Sequence, residues 1–254
     1  MRTSTGTHSH ELPQVVERQM RTWALRLESL QRLEEQKAAV PPQQLIRPYI
    51  AISREAGADA GEIAKSVAAK LGWKILDREL LDYMAEHYQW SPIALEYVDE
   101  RTASWFHETF GKWLDTQIVS QAEYVHRLGR VVLMAAQHES TVFVGRGAQF
   151  MLPRENGVAV RVIAPRKQRI ECIVKRRQCN QQEAEKFIDE TDKGRADFVR
   201  RYFQHEVADP QLYDLVVNLA RTSCDAAAEL IITDCRLRFG TGALQKASSE
   251  GEKP

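Results

Sequence analysis

The chain reads as an α/β protein with a parallel β-sheet covered by helices on both faces. Two observations predict this. Short apolar, β-prone runs alternate with longer segments of helical periodicity, the pattern of successive βαβ units. A glycine-containing turn, REAGADAG, separates the first such run from the first helical segment. In a parallel sheet, ligands bind beyond the carboxyl ends of the strands, so this turn is where function is sought first.

Residues 1–12 are polar and read as disordered. Residues 13–40 carry an amphipathic helix: Val16, Met20, Trp23, Leu27 and Leu30 form a heptad-like stripe, opposite Arg18, Arg21, Arg26, Glu28, Arg32 and Glu35. The stripe suits packing on the main domain, pairing with a second copy in a homodimer, or a peptide-like partner contact. Pro41 and Pro42 open a linker over residues 41–47.

The main domain is expected over residues 48–239. Tyr49–Ser53 reads as the first strand. A helix follows, with Ile63, Val67 and Leu71 on one face and Gly72 as its stop. Trp73–Asp77 is a second short strand, followed by the helix RELLDYMAEHY. Residues 91–140 read as mainly helical, and Thr141–Gly145 as a strand entering the turn RGAQ. Val158–Ala164 is a strand, after which Pro165 opens a basic helix to about Gln178. A helix from Gln181 to about Phe203, a last strand over Leu212–Asn218 and a closing helix over residues 223–237 complete the domain. Residues 240–254 read as a disordered tail.

Lys+Arg and Asp+Glu both number 35, so nothing global favours nucleic acid or an acidic membrane surface. No apolar run reaches the roughly 20 residues of a membrane span. MRTSTGTHSHELPQ lacks the apolar core of a secretory signal. Cys172, Cys179, Cys224 and Cys235 show no zinc spacing and fit reduced thiols in a cytoplasmic protein, with Cys172 and Cys179 as packing residues two turns apart on one helix. The histidines show no H-E-x-x-H pattern, and there is no nucleophile elbow, so a zinc or Ser/His hydrolase is poorly supported.

Glycines permit tight turns, and a following helix N-terminus suits a phosphate. The strict pattern G-x-x-x-x-G-K-[ST] is nonetheless absent. The longer stretch YIAISREAGADAGEIAKSVAAKLGWKILDRELL, Tyr49–Leu81, resembles the first βαβ unit of bacterial cytidylate kinases and, more closely, the divergent cytidylate-kinase-like family. The resemblance continues through VFVGRGAQFML, VRVIAPRKQRIECIVKR, ETDKGRADFVRRYF and DPQLYDLVVNLARTS, covering roughly residues 48–237. It implies a P-loop NTPase-type, three-layer αβα fold with helical acceptor-binding and lid insertions.

It also implies ATP and Mg²⁺ as cofactors and a site composed as follows. Ser53, Arg54, Glu55, Gly57, Ala58, Asp59, Ala60, Gly61 and Glu62 make the phosphate loop. Matched to ordinary cytidylate kinases, Ala60 stands at the phosphate-binding lysine, which the divergent family usually lacks, Glu62 at the magnesium-holding Ser/Thr, and Asp59 at a glycine. A carboxylate near the phosphates repels them by several kcal/mol at ~4 Å and an effective dielectric near 20. Arg54 is a candidate replacement cation, and Glu62 or Glu55 a magnesium ligand. Asp77, Arg78 and Arg146 would meet the acceptor, with Asp77 also suited to capping a helix. Gly147 stands where ordinary cytidylate kinases place a cytosine-reading aspartate. Arg169, Arg176, Arg177, Asp192 and Arg195 match the charged lid that stabilises transferring phosphate; Arg166 and Lys167 read as solvated.

Two functions follow from these residues. One is a nucleoside monophosphate kinase acting on CMP, dCMP or a related small acceptor. The other is a catalytically impaired nucleotide-binding or regulatory protein with a degenerate loop.

Overall fold

The computed structural model describes residues 18, 20–23, 46–87 and 119–240. These fall into two compact units, one of residues 1–46 and 77–138, the other of residues 47–76 and 139–254. Leu27, Leu30, the aromatics at Trp105–Trp113 and the expected disordered ends lie outside the described residues.

The second unit carries nearly all of the sheet. Strand β1 spans Tyr49–Arg54, β2 Lys74–Asp77, β3 Thr141–Val144, β4 Gly157–Ile163 and β5 Leu215–Asn218. Their order is β2-β3-β1-β4-β5, with β1 central. β1 pairs in parallel with β3, from Tyr49↔Thr141 to Ile52↔Val144, and with β4, from Tyr49↔Gly157 to Arg54↔Val162. The chain leaves β1 between strands that lie on opposite sides of it, which is the switch point where an open α/β sheet holds its ligand. With helices on both sides, this is the three-layer αβα arrangement expected.

Helix α1, Ala60–Leu71, and the closing helix α7, Cys224–Phe239, cover one face of the sheet. Ile63, Val67, Ile231 and Ile232 pack there on Ile50, Ile52, Val142, Val158 and Val160. Burial of each such side chain contributes about 1.5–3 kcal/mol. Gly72, at φ 68°, ends α1 in the left-handed conformation, and Ser223 Oγ caps α7 by accepting from Ala226 N. On the opposite face, Tyr49 donates to the carbonyls of Leu152 and Pro153 at 3.4 and 3.2 Å.

A short helix α4, Ala148–Met151, follows β3, and beyond β4 the expected basic helix and the helix after it form a hairpin. α5 spans Arg166–Arg177 and α6 spans Gln181–Phe203. Asn180 and Glu183 form a capping box that starts α6. α5 therefore stops before Cys179, which lies in the connecting turn and does not share a helix with Cys172. The last strand is also shorter than expected, because Asp209 and Pro210 begin a 3₁₀ turn over Pro210–Leu212.

In the first unit, α2 spans Arg78–His87 and α3 spans Val119–His138. Asp77 Oδ1 accepts from Leu80 N at 3.0 Å and so caps α2. Tyr124 of α3 donates to Asp82 of α2 at 2.7 Å. Met20 and Trp23 are helical and buried, and the Trp23 ring lies 5.9 Å from that of His138. No helix among the described residues is long and apolar enough to cross a membrane.

Candidate phosphate-binding site

The turn after β1 is built by backbone geometry before any side chain contributes. Gly57 has φ 81°, and a Cβ there would lie 2.6 Å from the Arg169 carbonyl oxygen. That glycine lets α5 lie directly on the loop. Asp59, at φ 41°, is the residue before α1 and its side chain makes no cap bond. Left-handed backbone is where a phosphate loop ordinarily uses glycine. Aspartate tolerates it better than most residues, so the departure at Asp59 is compatible with the loop's shape. Ala58 and Ala60 are buried in the core beneath the loop. A Cβ at Gly61 would meet nothing within 4 Å. There is thus open space at this position in the first turn of α1, where a side chain would otherwise stand.

The expected lid residues divide by geometry into holders of the loop and cations beside it. Asp192 is a holder: its Oδ1 accepts from Ala56 N at 2.7 Å, and its Oδ2 from Arg169 Nη1 at 2.6 Å. Arg169 also donates to the carbonyls of Ala56 and Ala164 and lies 3.4 Å from Glu55 Oε2. Glu55 in turn accepts from Ala164 N at 3.1 Å. Arg195 donates to the carbonyl of Arg54 at 3.0 Å. Glu55, Arg169, Asp192 and Arg195 therefore clamp the loop backbone to α5 and α6.

Arg176 takes the other course. It pairs with Asp59, which also accepts from the Cys172 thiol at 3.3 Å. Burial, and then the hydrogen bond to Asp59, push that thiol above its ordinary range. Arg177 turns away, 4.2 Å over the ring of Phe187. Arg166 forms a bidentate pair with Asp189 on the surface. Glu62 is exposed and pairs with Lys65 at 3.0 Å. Among the described residues, no three of His, Cys, Asp and Glu gather as a metal site.

The turn after β3 lies next to this loop. Gly145, Arg146 and Gly147 have φ of 90°, 57° and 71°, three left-handed residues in succession. Gly145 N donates to Ile52 O at 3.0 Å, and a Cβ on Gly145 would collide with the Arg54 guanidinium. Arg54 therefore lies across Gly145, joining the two turns. A Cβ at Gly147 would lie 2.5 Å from Phe203. Arg146 is held 4.9 Å over the ring of Phe198. A non-glycine residue in this region costs on the order of 1–3 kcal/mol, and such strain clusters at ligand sites; Gln178 and Gln204 adopt it only to end helices, whereas Arg146 lies in a turn after a strand. Phe150, Phe198, Phe203 and His205 form a ring cluster behind Arg146. Asp77 and Arg78 belong to the first unit, where Arg78 lies 3.9 Å from Asp82.

Sequence reasoning missed Arg161 and Tyr213. Arg161 Nη1 donates to Ser53 Oγ at 3.1 Å, and the Tyr213 hydroxyl reaches the same oxygen at 3.3 Å. The signal available was the single charged residue inside the apolar run VAVRVIA.

Comparison with known proteins agrees with this architecture. None of the curated proteins compared by sequence matches. A crystal structure of an uncharacterized protein from Eubacterium ventriosum superposes with a TM-score of 0.62 at 20% identity, over 75% of this chain and 99% of that one. That likeness shows the fold. Looser matches include shikimate kinase from Acinetobacter baumannii, at TM-score 0.39 and 14% identity over 76% and 96% of the two chains. The APS kinase of Mycobacterium tuberculosis aligns at TM-score 0.37 and 16% identity, over 74% and 96%. The sequence pattern of the cytidylate kinase-like family matches residues 49–221, the stretch from β1 past β5 that carries both turns and the clamp. The chain therefore belongs to the cytidylate kinase-like family.

Proposed function

We propose that this protein is an ATP- and Mg²⁺-dependent phosphotransferase of the nucleoside monophosphate kinase type, acting on CMP, dCMP or a related small acceptor. The observation that carries the reading is the pair of turns at neighbouring strand ends. One opens on the first turn of α1; the other holds Arg146 in left-handed backbone over Phe198.

The triphosphate is assigned to the N–H groups at the start of α1, where the helix dipole favours an anion. Arg176 and Arg54 supply cations in place of the loop lysine. Arg146 would take the acceptor phosphate, its planar fork suiting two phosphate oxygens. An oxygen of that phosphate would attack the γ-phosphorus; the new O–P bond forms as the bond to the β-phosphate oxygen breaks, and ADP leaves. An acceptor phosphate in its dianionic form has no proton to lose at the attacking oxygen, so no general base is required. Positioning and charge neutralisation then do most of the catalysis. Glu62 is the residue assigned to hold Mg²⁺; a single carboxylate suits an ion that keeps most of its waters, and the ion would neutralise β- and γ-phosphate oxygens. Asp77 and Arg78 are proposed acceptor contacts by family resemblance.

One observation favours the second reading, a nucleotide-binding protein without turnover. Asp59 pairs with Arg176 at the loop, so part of that cation's charge is already balanced. Single-turnover transfer of labelled γ-phosphate from Mg·ATP to a panel of nucleoside monophosphates separates the two. Transfer to CMP or dCMP that collapses in Arg146→Ala is the expected result. ATP binding with no transfer to any nucleotide would favour the binding protein.

A further inference from the structure

Arg161 lies in β4 between β1 and β5, in register with Ser53 and Val216. Its neighbours along the strand are apolar, and only 8% of its surface is exposed. Taking a guanidinium out of water is strongly unfavourable unless an opposite charge and hydrogen bonds replace the lost solvation. Arg169 shows how this chain ordinarily meets that cost. It is equally buried, at 8%, and has two carboxylates and two carbonyls around it.

Arg161 has no such set. Its partners are the Ser53 hydroxyl at 3.1 Å and the face of the Tyr213 ring, 5.7 Å from the guanidinium carbon. Both are neutral, and among the described residues Arg161 forms no ion pair. The Tyr213 proton is shared between Ser53 Oγ at 3.3 Å and the Val207 carbonyl at 2.8 Å. The cluster therefore presents a fixed cation, two rotatable hydroxyls and no carboxylate. That is the complement of an oxyanion.

We infer that Arg161, with Ser53 and Tyr213, forms an anion-binding site at the carboxyl end of β1 and β4 that takes the phosphate or carboxylate group of a small acceptor. The anion site stands on these residues alone; only its assignment to an acceptor rests on the phosphotransferase reading. Ser53 immediately precedes Arg54, whose carbonyl is held by Arg195 and whose guanidinium lies on Gly145. An anion on Arg161 is thereby placed beside the two turns already described. A cation kept buried without a counter-charge is a stability cost accepted for binding.

The test is calorimetric titration of the full chain with inorganic phosphate, acetate and CMP, in the absence of ATP and Mg²⁺. Binding of phosphate and CMP without acetate assigns a phosphate group; binding of acetate assigns a carboxylate. Arg161→Met keeps the length and removes the charge. It is expected to weaken binding of the preferred anion at least about tenfold. Its melting temperature is expected to equal or exceed that of the unsubstituted protein, because an unbalanced buried charge has gone. Arg161→Lys, which keeps the charge without the fork, is expected to be intermediate and serves if the Met variant does not fold. Unchanged anion affinity in the folded variants, or no binding of any of the three anions by the unsubstituted protein, would overturn the inference. Loss of γ-phosphate transfer is read separately. A chain that binds the anion through Arg161 but transfers nothing keeps this site and loses the phosphotransferase reading.

Discussion

Asp59, the residue before α1, pairs with Arg176, in the last turn of α5. The contact brings the end of one helix to the start of another and sets a guanidinium beside the helix terminus, next to Ala60, which stands where the strict phosphate-loop pattern has its lysine. The negative charge at Asp59 is thus offset by the cation it holds. A guanidinium has five donors, and its fork can serve a phosphate while one arm rests on a carboxylate.

Asp59→Asn separates two opposite expectations. Asparagine also tolerates left-handed backbone, so the loop is retained. If Asp59 acted only by repulsion, its removal would tighten Mg·ATP binding. Because it holds Arg176, the substitution is expected to weaken binding several-fold, and to add little in an Arg176→Ala background. Titration with a non-hydrolysable ATP analogue measures both; tighter binding in Asp59→Asn would show that Asp59 does not position Arg176.

Gly61 lies in the first turn of α1, with open space where a Cβ would be. Gly61→Ala should raise the stability of the ligand-free protein by about 0.4–1 kcal/mol, through a less flexible unfolded chain. The same methyl would stand over the first turn of α1, so affinity for inorganic triphosphate should fall. Thermal melts with and without triphosphate check this; a variant stabilised equally in both would move the anion away from α1.

Asp192 serves the Ala56 N–H, Arg169 and Arg195 together. Asp192→Ala leaves Arg169 buried with one fewer carboxylate and orphans a backbone donor. Breaking such a cluster costs about 3–5 kcal/mol. Urea unfolding should show the loss, and Asp192→Asn should recover part of it by keeping the acceptor to Ala56 N. An Asp192→Ala protein of unchanged stability would mean that the clamp does not hold the loop.

Cys235 is fully buried on α7, and burial pushes its thiol from an ordinary 9.0 up to about 12. A raised acid favours the protonated form in the folded state. Its contribution is whole below pH 9 and is lost as pH rises toward 12. Unfolding free energy should therefore fall above pH 9, by up to a few kcal/mol. In Cys235→Ala that part of the slope should vanish, as urea midpoints at about pH 8 and pH 10.5 would show. Equal slopes in both proteins would place the alkaline loss on other groups.

Much of the fold was legible along the chain because strands and helices announce themselves by local period. VAVRVIA is short, rich in valine and bounded by Gly157 and Pro165, which together mark a covered strand, and Gly72 and Pro165 mark where helices stop and start. The family resemblance put the loop at Ser53–Glu62 and the second turn at Arg146. What each arginine does was not legible. Spacing puts Arg169 and Arg176 on one helix face, yet Arg169 is buried under Asp192 and Arg176 lies out on Asp59. The reason is distance in sequence. Ala56 and Asp192 are 136 residues apart, and Arg161 and Ser53 are 108 apart. A counter-charge, or the lack of one, is decided by which elements pack together. Sequence by itself determined the order of elements and the two turns. Only the tertiary structure decided which cations hold the loop, which face outward beside it, and that Arg161 is buried with no partner of opposite charge among the described residues.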